Sequence, residues 1–310
     1  MSENYPLPQS AELLAQELDQ HPDYKVLRRL TPKEFYSPAI AGQKLMKAVV
    51  LDTETTGLQV ENDRVIELGM VVFEFDPLHG TIHRVLDVFD ELEDPGFTIP
   101  SEITAINHIT NQMVDGKKIN DQKVEQLLSD VQVVIAHNAS FDRPFVEERW
   151  PIFKEFNWAC SIRDIDWKAE GFGSAKLEYL LSTQGIFYEA HRAETDCWAL
   201  LELLHRLLPQ SQQPALLSLM QTLNQAQTKL YAIGAPFDSK GLLKARNYRW
   251  APEIKCWHKT IASETDLRAE FVWLRNKVYR SKRAVIELEK LGGQVRYSLR
   301  GGERTMVSLD

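Results

Sequence analysis

The sequence contains few cysteines and no long apolar run. Its 310 residues include only Cys160, Cys197 and Cys256, which are far apart and form no C-x-x-C pair. This excludes a disulfide framework and a zinc knuckle of the usual spacing. No stretch approaches the ~18 consecutive apolar residues of a membrane-spanning helix, and the amino end lacks the basic start and apolar block of a signal peptide. We therefore expect a cytoplasmic globular protein with reduced thiols.

Charge is unevenly distributed along the chain. The formal net charge is −8, yet residues 234–310 carry 16 Lys and Arg against nine Asp and Glu, whereas residues 1–233 carry 20 against 35. A basic C-terminal part on an otherwise acidic chain suggests contact with a polyanion in that part. A solvated basic face is the alternative explanation, and composition alone does not choose between the two.

The chain divides into four predicted parts. Its length exceeds that of one ordinary domain, so we expect one large domain with appendages, or two domains. Polar, proline-bearing residues after position 209 are typical of a linker. The parts are an N-terminal helical extension (1–45), a large α/β domain (46–209), a linker and helix (210–233) and a small basic C-terminal accessory module with helices and strands (234–310).

Helices are predicted on both sides of the large domain. In the extension, Leu13, Leu14 and Leu18 lie at helical spacing, and we expect this apolar side to pack against the domain that follows. A second helix is predicted from Ala215 to roughly Tyr231. Within the large domain, strand patterns come first and helices separate the later strands, which predicts a mixed sheet flanked by helices.

Two carboxylates lie at the end of the first predicted strand, Ala48–Asp52. Because strand side chains alternate, Asp52 and Glu54 project from the same face. Two close carboxylates repel each other and resist burial unless cations neutralise them. An Asp-x-Glu pair is by itself more often a solvated strand end than a metal site.

Further acidic residues follow two other predicted elements. Asp142 comes shortly after the apolar strand Val131–Ala136, and His191 and Asp196 flank the start of a helix. Strand ends of this kind can converge at one edge of a sheet. A convergent acidic cluster requires divalent ions, and hard oxygen ligands favour Mg²⁺ or Mn²⁺ over zinc. Singly, these residues could be a helix cap, an exposed histidine and a first-turn acid; their joint order and spacing favour a site.

Together these segments resemble the DEDDh (DnaQ-like) superfamily of 3′-to-5′ exonucleases. The resemblance covers about residues 46–208, and the spacing of His191 and Asp196 is that of the histidine-bearing subgroup. All five signature residues of the family are present. The matching motifs are Leu51-Asp-Thr-Glu-Thr-Thr-Gly-Leu58 with Ile66-Glu67 downstream, Ala136-His-Asn-Ala-Ser-Phe-Asp142 and His191-Arg-Ala-Glu-Thr-Asp196.

The resemblance implies a fold and a mechanism. The fold is ribonuclease H-like, with a mixed five-stranded sheet flanked by helices, and the activity is hydrolysis of phosphodiester bonds with two divalent cations. Asp52 would bridge the ions, Glu54 and Asp196 would hold one of them, and Asp142 would support the site directly or through water. His191 would be the general base.

The resemblance also implies residues that hold the 3′ end of the substrate. Backbone groups of Thr55 and Gly57 would bind the terminal 3′-hydroxyl, and other side chains would position the last base and sugar. The substrate loop reads Asn107-His-Ile-Thr110, which departs from the His-Gly-Ile or Thr-Gly-Ile often found in relatives. The full set of predicted substrate-binding residues is Thr55, Gly57, Leu58, Asn107, Asn138 and Phe141.

The basic module interleaves aromatic and basic residues as single-strand binding proteins do. Arg249, Trp250, Lys255, Trp257 and Lys259 follow one another within a short stretch. Such residues can contact phosphates and bases at a distance from the acids. The alternative is that Trp250 and Trp257 form the core of a small hairpin-like module.

The predicted function is a metal-dependent 3′-to-5′ exonuclease that acts on single-stranded or frayed DNA and releases nucleoside 5′-monophosphates. An exoribonuclease that trims RNA ends is the alternative, because the choice of sugar depends on the fit around the 2′ position. A catalytically silent adaptor that binds nucleic acid or a polymerase is the alternative of another class, and the five intact signature residues argue against it. Homodimerisation and association with a polymerase are both open.

Overall fold

The computed structural model describes residues 9–40, 42–225 and 227–309. Across these residues, no helix combines the length and the apolar character needed to cross a membrane. The strands are β1 (Arg28–Arg29), β2 (Met46–Thr55), β3 (Val65–Asp76), β4 (Thr81–Leu92), β5 (Val131–Ala136), β6 (Asn157–Cys160), β7 (Ile186–Phe187), β8 (Gln227–Ala232), β9 (Arg249–Ala251), β10 (Cys256–Ile261), β11 (Val285–Leu291) and β12 (Glu303–Ser308). The helices are α1 (Gln9–Asp19), α2 (Ser101–Asn107), α3 (Asn111–Val114), α4 (Asp121–Leu127), α5 (Ala139–Arg149), α6 (Leu177–Thr183), α7 (Ala193–His205), α8 (Ala215–Leu223), α9 (Lys240–Ala245) and α10 (Glu264–Trp273), with 3₁₀ turns at Pro151–Glu155 and Phe237–Ser239 and a π-helical turn at Leu274–Val278.

The first sheet has five strands in the order β4-β3-β2-β5-β6. β3 is antiparallel to both β2 and β4, whereas β5 is parallel to both β2 and β6. β2 lies at the centre because its apolar residues, Val49, Val50 and Leu51, are fully buried on both faces of the sheet. This mixed sheet flanked by helices confirms the predicted ribonuclease H-like α/β fold class.

Helices cover both faces of this sheet. One apolar core lies between the sheet and α6, α7 and α8, and a second lies between the sheet and α4 and α5. The two cores meet the strands from opposite sides, because alternate residues of β2 point into each. The sheet therefore holds the carboxyl ends of β2 and β5 in a fixed relation to α5 and α7.

The N-terminal extension attaches to the large domain through its backbone. β1 pairs in parallel with β7, and Leu30 and Tyr36 pack against the nearby core. The expected packing of the helix leucines was wrong: Leu13, Leu14 and Leu18 of α1 are 59%, 60% and 43% exposed. The physical reason is that a two-strand pairing and the residues after it anchor the extension, so helix α1 does not need to bury its apolar side.

The second sheet has five strands in the order β12-β11-β8-β10-β9, and every neighbouring pair is antiparallel. The helix predicted from Ala215 to Tyr231 ends at Leu223, and 227–232 form the central strand β8. The reason is a change of period: Leu230 and Ala232 point into the core of this sheet, while Lys229 and Tyr231 point to its other face.

One face of the second sheet is an apolar core. It packs against α9, α10 and the π-helical turn through residues such as Leu243 and Leu274. Trp257 belongs to this core and is 8% exposed, as the hairpin-core alternative predicted, whereas Trp250 is 47% exposed and packs beside it with ring centroids 5.4 Å apart. The two tryptophans therefore stand on the core side of the sheet.

Arg143 joins the second sheet to the first. Its fully buried guanidinium donates to the carbonyl oxygens of Gly293, Gln294 and Arg296 at 3.0, 2.5 and 2.5 Å. These carbonyls belong to the segment that connects β11 to β12, residues 292–302, which we call the docking loop. Arg143 also donates to Glu147 one turn along α5 at 2.7 Å.

Other contacts hold the docking loop against the large domain. The backbone N–H of Trp158 donates to Gly293, and the hydroxyl of Tyr297 donates to Asp164 at 2.6 Å. Glu147 accepts further bonds from Ser298 and Arg300. A buried, fully hydrogen-bonded network of this kind fixes orientation more than a bare apolar contact would.

Replacing Arg143 with alanine should strongly destabilise the protein. The substitution leaves Glu147 without its closest cation and the buried carbonyl of Arg296 without its donor, so we expect a loss of about 3–5 kcal/mol in the free energy of unfolding. Urea unfolding followed by tryptophan fluorescence measures it. The control is Arg268→Ala, which removes an exposed ion pair with Glu264 and should cost less than about 1 kcal/mol. Equal losses in the two variants would contradict this role of Arg143.

Candidate active site

Three acidic side chains meet at the carboxyl end of β2. Asp52 and Glu54 project from the same face of that strand, and Asp196 lies in the first turn of α7. One carboxylate oxygen from each of the three can be chosen so that all lie within 4.8 Å of one another. The alternation of side chains along β2 therefore produces the pairing expected from the sequence, and the fold adds the third acid.

Asp142 lies next to this cluster, and a residue of β2 holds its side chain. Its side chain is buried in the first turn of α5 and accepts hydrogen bonds from the backbone N–H and the hydroxyl of Thr53, at 3.1 and 2.9 Å. Thr53 separates Asp52 from Glu54, so the same strand segment presents two acids and fixes a third. Sequence reasoning did not identify Thr53 in this role.

Asp196 is held by the loop before α7. Its carboxylate accepts from the hydroxyl of Tyr188 at 3.0 Å and from the backbone N–H groups of His191 and Arg192 at 2.8 and 3.2 Å. These bonds satisfy backbone donors just before the helix, as a capping side chain does. Tyr188 was not predicted from the sequence, because nothing in its local pattern distinguishes it from a core tyrosine.

An ion pair between Arg192 and the buried Glu67 holds the start of α7 against the first sheet. The guanidinium of Arg192 donates to Glu67 at 2.9 and 2.5 Å, and the backbone N–H of Ala193 donates to the same carboxylate. Gly69, two residues along β3, lies directly under this turn: a Cβ there would approach backbone atoms of Ala193 and Glu194 to 2.4–2.6 Å. A glycine is required because the helix backbone comes this close to the strand.

His191 stands at the rim of the cluster. Its backbone adopts a left-handed conformation with φ of +69°, and its side chain is exposed. The hydrogen bond from its N–H to Asp196 fixes this unusual backbone. The imidazole is therefore accessible to solvent beside the acids.

Burial and mutual repulsion raise the pKa of the clustered acids. Burial, followed by the charges of Asp142 and Asp196, raises the pKa of Asp52 well above its usual range, and burial raises the pKa of Asp196. Burial is also the main cause that raises the pKa of Glu54 to about 7 and that of Asp142 to about 7, although Thr53 opposes the shift at Asp142. The nearby Arg192 pairs with Glu67 and Asp90 instead.

The chemistry of this donor set fits a hard divalent cation. The cluster offers carboxylate oxygens only, gathered closely enough for one ion, with Asp142 as a fourth acid beside them. A cation would stabilise the ionised form of these acids, which burial and the neighbouring negative charges disfavour. Oxygen donors of this kind suit Mg²⁺ or Mn²⁺.

The turn after β2 places the first predicted substrate-binding residues at the edge of the cluster. The hydroxyl of Thr55 donates to the carbonyl of Gly57 at 2.5 Å, and Leu58 is 80% exposed. Asp63 holds this turn by accepting from the hydroxyl of Thr56 and the backbone N–H of Gln59. The space beside Gly57 is filled by the Asp63 carboxylate, so a larger residue would displace it.

The remaining predicted substrate-binding residues lie on segments next to the acid cluster, and each has different partners. Asn107 is buried and donates to Glu54 at 3.1 Å, which makes it a partner of an acid, a contact that the sequence did not predict. Asn138 begins α5 in a left-handed conformation with φ of +80°, and its side chain accepts from Ser140. Phe141 is half-buried and packs on Phe145.

Comparison with known proteins agrees with this geometry. A family model described as Exonuclease, of the ribonuclease T type, matches residues 49–204. The chain belongs to this exonuclease family. The resemblance inferred from the three motifs is thereby confirmed, and so is the predicted class of enzyme, a 3′-to-5′ exonuclease.

The relatives of this exonuclease include proteins named after DNA polymerase III. The DNA polymerase III subunit epsilon of Treponema pallidum (strain Nichols) is 32% identical over 170 residues, which are 51% of this chain and 74% of the relative. The DNA polymerase III PolC-type of Clostridium perfringens is 35% identical over 102 residues, 32% of this chain but only 7% of that protein. The match therefore covers about half of this chain and a small part of the PolC-type relatives.

Solved structures that align with the exonuclease include two other exonucleases. Exonuclease X in complex with 5′-overhanging duplex DNA is 23% identical, with a TM-score of 0.38 over 57% of this chain and 92% of that one. Escherichia coli Exonuclease I with a dA16 oligonucleotide is 18% identical, with a TM-score of 0.44 over 61% of this chain and 48% of that one.

Divalent cations should stabilise the enzyme more at high pH than at low pH. Because the pKa values of Glu54 and Asp142 are raised in the metal-free fold, protonation of these acids stabilises the folded state. This contribution to the free energy of unfolding is complete below the unfolded pKa of about 4 and is lost as pH rises through about 7. We expect the melting temperature in EDTA to fall from pH 5.5 to pH 8, and the increase caused by Mn²⁺ to be larger at pH 8.

Thermal melting by circular dichroism at both pH values, with and without Mn²⁺, measures this effect. The Asp52→Asn variant removes one donor and one repelling charge, so it should melt higher than wild type in EDTA at pH 8 and gain less from Mn²⁺. A Mn²⁺-dependent increase that is the same at pH 5.5 and pH 8 would contradict the account of the acids.

Proposed function

We propose that this exonuclease hydrolyses phosphodiester bonds at the 3′ ends of single-stranded or frayed DNA and releases nucleoside 5′-monophosphates. The observation that carries the proposal is the meeting of Asp52, Glu54 and Asp196 at one strand end with His191 exposed beside them. Carboxylates gathered this closely are costly to the metal-free fold, so their arrangement is explained by a cation-dependent reaction.

The acids would hold two divalent cations, Mg²⁺ or Mn²⁺. Asp52, Glu54 and Asp196 offer the donors nearest to one another, and Asp142 adds a fourth carboxylate beside them. Bound there, such cations activate a water molecule and offset the negative charge that develops on the phosphoryl oxygens and the departing 3′ oxygen. The protein's own contribution is to hold these acids in place through Thr53, Asn107 and Tyr188.

His191 would accept a proton from the attacking water. Its position at the exposed rim allows the imidazole to exchange that proton with solvent after each turnover, and its backbone is tied to Asp196. Histidine side chains are suited to proton transfer near neutral pH. The loop that carries His191 is also held by the next residue, Arg192, which is paired with the buried Glu67.

The opening beside the acids would receive the last nucleotide. Backbone groups of Thr55 and Gly57 would bind the terminal 3′-hydroxyl, and the exposed Leu58 with Phe141 would contact the base. Asn138 would contact the sugar or phosphate, and Asn107 would act on the substrate through its bond to Glu54.

The names of the relatives support DNA as the substrate. The epsilon-type and PolC-type relatives are both named as parts of DNA polymerase III, and this also makes a polymerase the partner class to test. A second copy of this chain is the alternative partner. An RNA 3′ end is the alternative substrate, and it requires room for a 2′-hydroxyl beside the terminal sugar.

Degradation of end-labelled oligonucleotides tests the proposal. With Mg²⁺, wild type should shorten a 5′-labelled dT20 one nucleotide at a time, and it should act more slowly on U20. His191→Ala should lower kcat on dT20 by about 10²–10⁴-fold through loss of the proton acceptor. Asp52→Asn should lower it at least as much, because a carboxylate donor is lost.

The matched control is Asp87→Asn, a charge-neutralising change on β4 at a carboxylate that pairs with Lys123, outside the cluster. It should retain the wild-type rate. Equal rates for wild type, Asp52→Asn and His191→Ala would overturn the assignment, and faster cleavage of U20 than of dT20 would transfer the proposal to RNA.

A further inference from the structure

A polar cleft separates the exonuclease domain from the second sheet. Its volume is about 940 Å³, and its lining comes from both bodies: Ser140 and Arg163 on the exonuclease side, and β8, β10, β11 and the docking loop on the other. Ser140 lies two residues before Asp142, and its hydroxyl donates to Asn138 at 3.0 Å. One wall of the cleft therefore lies on α5, the helix that also carries Asp142.

The second sheet turns its polar face to this cleft. Cross-strand partners share a face, and the pairs Lys229 with Thr260 and Tyr231 with His258 place these residues together. His258 in turn pairs with Arg249 on β9. All of them line the cleft, whereas alternate residues of the same strands, such as Leu230 and Trp257, belong to the apolar core. The polar face is thus a continuous surface across three strands.

The cleft carries an excess of positive charge. Seven of its lining residues are Arg or Lys, against two carboxylates, Glu253 and Glu289. Glu289 is already engaged, since it accepts from the hydroxyl of Tyr231 and the backbone N–H of Gly302. The pKa of His258 is lowered by burial first and then by the charges of Lys229 and Arg249.

Three of these cations have no carboxylate partner among the described residues. Arg163 and Arg249 are exposed and make no side-chain hydrogen bond there, and Lys229 lies over the ring of Tyr231 with its nitrogen 5.1 Å from the centroid. By contrast, Arg296 and Arg300 of the docking loop are occupied, because Arg296 donates to the carbonyl of Thr222 and Arg300 donates to Glu147 and to the carbonyl of Lys154. The unpaired cations come from both sides of the cleft, so they can hold one ligand between them.

The attachment of the second sheet keeps these two sides in register. Arg143, which binds the docking loop, immediately follows Asp142 in α5. A single helical turn thus supports the acid cluster and fixes the basic face. A ligand that spans the cleft would be held at a constant distance from the acids.

We propose that this cleft, which we call the basic cleft, binds the phosphodiester backbone of a nucleic-acid single strand whose 3′ end lies in the acid site. The inference rests on the proposed function and extends it to the part of the substrate upstream of the scissile bond. Arg163, Lys229 and Arg249 contact phosphates, because they are the cations that the fold leaves without partners. Tyr231 is nearly fully buried beneath Lys229, so the contact is with the backbone and is independent of sequence.

Binding without hydrolysis tests the basic cleft separately from the chemistry. Fluorescence anisotropy of 5′-labelled dT20 in EDTA, over a series of NaCl concentrations, measures affinity and its salt dependence for the full chain. The variant Lys229→Gln/Arg249→Gln should bind about tenfold more weakly at 0.1 M salt, and its log–log salt slope should be smaller by ~1.4 because two phosphate contacts are lost.

The control variant is Arg275→Gln/Lys277→Gln, which removes the same charge from exposed residues of the π-helical turn that do not line the cleft. It should keep the wild-type affinity and slope. Unchanged binding by the cleft variant would overturn the proposal. An equal loss in both variants would also overturn it, because affinity would then depend only on the net charge of the C-terminal part.

Kinetics in Mg²⁺ distinguish this inference from the proposed function. In the cleft variant, kcat/KM for dT20 should fall about tenfold relative to that for the dinucleotide dT2, the shortest substrate that still has a phosphodiester bond to cleave. If wild type binds dT20 through these cations but never shortens it, the proposed function fails and the cleft stands. If wild type shortens dT20 and the dT20-to-dT2 ratio is the same in the cleft variant, the cleft fails and the function stands.

Discussion

The crowding of four carboxylates, of which Asp142 is buried and the other three are half-buried, is the constraint on which the rest of this structure depends. Burial is the main cause that raises the pKa of Asp52, Glu54, Asp142 and Asp196, and the charges of neighbouring acids add to the shift at Asp52, Glu54 and Asp142. Their immediate hydrogen-bond partners are the neutral groups of Thr53, Asn107, Tyr188 and two backbone N–H groups. Donors of this kind orient the acids without cancelling their charge, so the attraction for cations is preserved.

The surrounding fold holds this arrangement together against the repulsion. The first sheet fixes the end of β2, and the Glu67–Arg192 pair with the close approach at Gly69 fixes the start of α7. Arg143 extends the same rigidity to the second sheet. The acid site and the basic cleft are therefore held by one scaffold. The cations of the second sheet offset the negative charge of the exonuclease domain, which must approach a polyanion.

Much of the fold and of the acid cluster could be predicted from local sequence. The apolar run before Asp52 and the alternation of strand side chains placed Asp52 and Glu54 on one face, and the order of the three motifs identified the family. What sequence could not supply were contacts between distant elements: Tyr188 with Asp196, Asn107 with Glu54, and Arg143 with the docking loop. The helix predicted through Tyr231 failed because 227–232 change to a strand period over only six residues. Basic residues in the tail suggested a polyanion contact, yet which of them stay unpaired depended on the pairing of strands.

The central claim is that the acid cluster is a cation site at which a 3′ end is held. Anomalous diffraction from crystals of the enzyme grown with Mn²⁺ and thymidine 5′-monophosphate tests it most directly. The account predicts anomalous peaks between Asp52, Glu54 and Asp196, with the nucleotide's 3′-hydroxyl against the turn of Thr55 and Gly57. Crystals with saturating Mn²⁺ but no peak among these carboxylates would contradict it.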